Sequence, residues 1–120
     1  MNEKTIQIHD LQWHVFFVSS NDPRMNAQEE DILGLTIFSS LTILVRRDIP
    51  QALFLRTLRH ELTHATLFSY GLFGEELGEE GVCNFVEAYG QKILETAEDL
   101  VNEQASIPVK KTSKIYPGIH

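Results

Sequence analysis

The sequence predicts an α+β domain, a small mixed or antiparallel sheet packed against helices, and three observations lead there. Segments rich in β-branched and aromatic residues occupy the chain up to Val45. Two segments of helical periodicity follow, one opening after Pro50 and one near Glu79. The strands therefore collect before the helices, an order that puts them in separate layers rather than in alternating βαβ units.

Residues 5–8 and 11–18 flank His9-Asp10 and carry the Val, Phe, Trp and Ile content of paired strands, so they read as a hairpin. Residues 21–31 are polar and contain Asp22-Pro23, which makes them a loop with room for a short helical turn. Residues 35–38 and 41–45 read as two short strands, or as one strand bent at Ser39-Ser40. From Pro50 to Tyr70 the chain has a proline in the first turn, helix formers inside and Gly71 just past the end, which predicts one helix of about twenty residues. Phe54, Leu58, Leu62 and Ala65 line its core side; Leu53, Thr57, His60 and His64 form a neighbouring stripe. Residues 79–94 predict a second helix whose buried side is Val82, Phe85, Val86, Tyr89 and Ile93. Cys83, set among apolar neighbours, reads as a small buried side chain.

At 120 residues and 42% hydrophobic content, there is material for one core, so residues 1–108 are expected to form a single domain. Residues 109–120, with Lys110, Lys111 and Lys114 and no acid, read as a basic C-terminal tail. No apolar run approaches the length of a membrane span, and no basic-then-apolar leader opens the chain; the expected location is the cytoplasm. One cysteine excludes an intrachain disulfide. The formal net charge of −7, concentrated between Glu75 and Glu103, repels phosphates and argues against a nucleic-acid partner.

The chemistry sits in His60-Glu61-Leu62-Thr63-His64. An H-E-x-x-H run on a helix brings two imidazoles to one face, where both can reach one metal ion, and leaves the carboxylate about 100° around the helix, placed to hold a water. In a shuffled chain of this composition the pattern is expected about 0.02 times. A catalytic zinc usually has three protein ligands, so a third must come from elsewhere. Glu80 on the second helix is the favoured donor, with Asn84 one turn later to accept a hydrogen bond from a ligand histidine's second nitrogen; Glu76 and Glu87 are the reserves. Tyr70, Tyr89, Tyr116, His9 and His14 are the polar candidates for stabilising an oxyanion, against the commoner reading of each as an ordinary packed or surface residue.

His60-Glu61-Leu62-Thr63-His64-Ala65 followed by Glu80-Gly81-Val82-Cys83-Asn84-Phe85 resembles the gluzincin pattern, H-E-x-x-H and then a helix carrying E-x-x-x-D/N. Gly34, the strand at 41–45 and the helix after Pro50 also resemble the small ImmA/IrrE-type and minigluzincin metallopeptidases, often found in phages and mobile elements. The resemblance implies a zincin-like fold, Zn2+ held by His60, His64 and Glu80, and peptide-bond hydrolysis with Glu61 as general base. It implies a protein or peptide substrate, such as a regulatory protein, held as an added strand along residues 35–38 or 41–45. So small a chain leaves little protein to wall a cleft, which keeps open an alternative, a regulatory or binding module that keeps the gluzincin fold with little activity; a third reading takes the two His as core histidines of an unrelated α+β protein. Asn84 departs from the aspartate of thermolysin-like members, and the Glu-Ala-Asn run of many ImmA-type proteins is absent.

Overall fold

The computed structural model describes residues 3–26 and 32–104, and within them the α+β expectation holds. Four strands, β1 (Glu3–Ile8), β2 (Leu11–Val18), β3 (Gly34–Ile37) and β4 (Thr42–Arg46), form one mixed sheet in the order β1-β2-β4-β3. A short helix, α1 (Pro23–Asn26), follows β2; α2 (Gln51–Ser69) and α3 (Gly78–Gln104) complete the described chain. The basic tail expected at 109–120 lies outside the described residues.

β1 and β2 are the antiparallel hairpin, with Ile8 opposite Leu11 and His9 at φ 56 in the tight turn, a left-handed conformation that such turns demand. β2 then runs parallel to β4, and β4 pairs antiparallel with β3, Leu35 opposite Leu44. The two alternatives for residues 35–45 thus resolve as two strands, joined by a single 3-10 turn at Phe38–Ser40 and by Leu41 at φ 50.

Strand alternation gives the sheet two apolar faces. Trp13, Val15, Phe17, Ile43 and Val45 point towards the helices and form the main core with Phe54, Leu58, Leu62 and Ala65 of α2, the side that the sequence marks as core-facing. Val18, Leu44, Met25 and Ile32 form a smaller cluster on the other face, against which Leu35 and Ile37 pack. Trp13 is fully buried, and its indole N–H donates to Ser69 Oγ at 2.8 Å, tying β2 to the last turn of α2. That helix stops in a Schellman arrangement: Leu72 N–H reaches Leu67 C=O, Gly71 N–H reaches Phe68 C=O, and Gly71 supplies φ 69.

α3 runs ten residues beyond the expected end at Leu94. Ala97 and Leu100 continue the spacing of Phe85 and Ile93 and are buried with them, while Lys4 Nζ meets Glu103 at 3.2 Å beside β1. Three expectations on α3 need correction. Val82 and Val86 are 49% and 58% exposed because they border an open apolar groove, where α2 presents Arg59, Thr63 and Leu67 rather than bulky cover. Cys83 is exposed, since it lies about 100° around the helix from the buried stripe. No helix among the described residues is long and apolar enough to cross a membrane.

Candidate active site

α2 carries His60, Glu61 and His64 in its middle, away from fraying ends. The rings of His60 and His64 lie 4.9 Å apart at 76°, as the i, i+4 spacing requires. His60 is exposed and His64 half-buried, and burial lowers the pKa of His64, which keeps it in the neutral form that binds metals. An aromatic cluster adjoins His64. Phe38, just past β3, meets it edge-on at 6.4 Å and stacks on Phe68 at 4.9 Å, while Trp13 approaches both phenyl rings edge-on.

Glu61 points elsewhere, into the contact between α2 and β3, and is fully buried. Thr36 Oγ1 donates to Glu61 Oε1 at 2.6 Å, and Oε2 has no hydrogen-bond partner. Burial raises the pKa of this carboxyl to about 7, opposed by the Thr36 hydrogen bond. The contact depends on Gly34. A Cβ there would lie 2.7 Å from Thr57 Cγ2 and 3.0 Å from Glu61 Oε2, so only glycine lets the strand come this close to the helix. Because β3 ends the sheet, the strand that touches Glu61 is also one whose outer edge is unpaired among the described residues.

The downstream candidates are not gathered here. Glu80 and Asn84 are exposed near the start of α3, about 160° around that helix from its buried stripe of Phe85, Ile93 and Leu100. Glu76 and Glu87 are exposed as well. Among the described residues no group of three or more His, Cys, Asp or Glu side chains is arranged to hold a metal ion. The donor chemistry therefore fits zinc in part: two imidazoles are paired on the helix that buries Glu61, and among the described residues no third protein ligand is in place.

The oxyanion candidates fall away from the histidine pair. His9 stacks on Tyr70 at 4.6 Å and Tyr70 on Tyr89 at 4.5 Å, bordering a pocket with Leu62 and Thr66, which lie about 160° around α2 from His60 and His64. His14 Nδ1 pairs with Glu3, and Tyr116 lies outside the described residues. Sequence reasoning missed Thr36, Phe38 and Phe68 as neighbours of the motif. The alternation of Gly34 and Thr36 with apolar Leu35 and Ile37 is the signal that could have found Thr36.

Comparison of the chain with protein-family profiles, curated proteins and solved structures yields no match in any of the three.

Proposed function

We propose that this chain is a zinc-dependent metallopeptidase of gluzincin type that hydrolyses peptide bonds of a protein or peptide substrate. The observation that carries the reading is the pairing of the His60 and His64 rings at 4.9 Å on the same helix that buries Glu61 against an end strand of the sheet. A buried carboxyl without full hydrogen bonding is costly, and a fold keeps that cost where chemistry uses it.

In this reading His60 and His64 hold the ion. Glu80 is the third donor, which requires the first turn of α3, just after Gly78 at φ 65, to turn towards α2; Asn84 would follow as acceptor for a ligand histidine. When bound, zinc supplies Lewis acidity and lowers the pKa of water at its open position. With zinc held there, Glu61 would take the proton from the attacking water and return it to the leaving amine. The outer edge of β3, unpaired among the described residues, would receive the substrate backbone as an added strand. The acidic surface disfavours nucleic acid as a partner, and the reading places the protein in the cytoplasm, in a phage or mobile-element setting, acting on a regulatory protein.

The exposed, ungathered Glu80 favours a second reading, a zincin-fold binding or regulatory module with little activity. Incubating the zinc-loaded chain with an unfolded protein separates the two. Zinc-dependent cleavage that Glu61→Gln lowers by at least about 10²-fold supports the peptidase; cleavage equal in both shows that Glu61 is not the base, and none with zinc bound supports the module.

A further inference from the structure

The end strand β3 does more than border the motif, because its Thr36 hydroxyl reaches across to the carboxyl of Glu61. We infer that Thr36 is a positioning residue for Glu61: its hydroxyl holds Oε1 against β3 and so fixes the carboxyl rotamer. The inference rests on the peptidase reading.

Three observations carry it. Thr36 Oγ1 lies 2.6 Å from Glu61 Oε1 and 3.4 Å from the Glu61 carbonyl oxygen, so one hydroxyl spans both ends of the residue. Oε2 is buried with no partner, so the two oxygens are not equivalent. Neighbours that could substitute do not: Gly34 presents no side chain to Oε2, and the Thr57 hydroxyl donates to its own Leu53 carbonyl at 2.8 Å. Leu35 and Ile37 face the opposite side of the sheet and pack on Leu44 and its neighbours, which anchors β3. Thr36 is therefore held by the strand that is the proposed docking edge for substrate, and the position of Glu61 is tied to the position of that strand.

The hydroxyl acts on the base and not on substrate, so its loss should change turnover and spare binding. Thr36→Val keeps the shape and removes the donor; Thr36→Ser keeps the donor. For the zinc-loaded chain, Thr36→Val is expected to lower kcat about tenfold with KM unchanged, and Thr36→Ser to restore kcat to within about threefold. Contact and role are read separately. In urea unfolding of the metal-free chain, Thr36→Val should lower the midpoint clearly where Glu61 is present and much less in the Glu61→Met background, which keeps only the backbone carbonyl at 3.4 Å and offers no side-chain acceptor. Equal midpoint shifts in the two backgrounds overturn the contact. A kcat that is unchanged, or raised, in Thr36→Val overturns the role, as does a Thr36→Ser chain as slow as Thr36→Val. A wild-type chain that binds zinc and cleaves nothing overturns the peptidase reading and the positioning role with it, and the urea midpoints then show whether the contact itself stands.

Discussion

Replacing Glu61 by glutamine should stabilise the metal-free protein, and by an amount that grows with pH. In the unfolded chain this carboxyl titrates near 4.5; in the fold, burial moves it to about 7. Between those values the folded state holds a proton that the unfolded state has lost, so folding stability falls as pH rises through that window and stays low above it. A difference of about 2.5 units at about 1.36 kcal/mol each amounts to about 3 kcal/mol at pH 8, and to under about 0.5 kcal/mol at pH 4.5. Glutamine keeps an acceptor for Thr36 at nearly the same volume and carries no charge. His64, whose pKa burial lowers, has the opposite effect, removing stability as pH falls below its usual 6.5; both chains share that slope, so it cancels in their difference. Urea unfolding with chelator present, at pH 4.5 and pH 8, reads the effect. Glu61→Gln should be about 3 kcal/mol more stable than wild type at pH 8 and nearly equal at pH 4.5. An equal difference at the two pH values would refute the claim that a buried, ionisable Glu61 costs stability.

Two further substitutions test the framework around the site. Gly34→Ala should destabilise the domain by about 1–3 kcal/mol, because its Cβ would overlap Thr57 Cγ2 and crowd Glu61 Oε2; a thermal midpoint like wild type would show that β3 does not approach α2 this closely. Leu100→Ala removes a side chain that is 3% exposed in the part of α3 beyond Leu94, and should cost about 2–5 kcal/mol by denaturant unfolding; a loss under about 1 kcal/mol would mean that this end of α3 is not part of the core.

Legibility in the sequence followed from how local each signal was. α2 could be read almost to the residue because Pro50, Gly71 and the Phe54, Leu58, Leu62, Ala65 stripe are all local, and the pairing of His60 with His64 follows from helical spacing alone. The β1-β2 hairpin was equally local, two apolar runs about a tight turn at His9-Asp10. The parallel pairing of β2 with β4, and hence β3 as an end strand, depends on contacts between segments some thirty residues apart that no local pattern encodes. The burial of α3 depended on its partner's surface: Val82 and Val86 have helical spacing and apolar chemistry, yet α2 offers them no cover, while Ala97 and Leu100 find some. For the same reason Glu80 and Asn84 match a motif in sequence and still lie on the far side of their helix from its buried stripe. The alternation of Thr36 with Leu35 and Ile37 marks the face it occupies, but that Glu61 lies across from it depends on how β3 packs on α2, which no local pattern encodes.

The central claim, that His60 and His64 hold a zinc ion in this fold, is tested most directly by the zinc content of the purified chain, produced without a metal-binding tag and measured by elemental analysis beside His60→Ala and His64→Ala. The account predicts about one zinc per wild-type chain and loss of most of it in both variants. A wild-type chain that takes up no zinc, or histidine variants that keep a full equivalent, would contradict it.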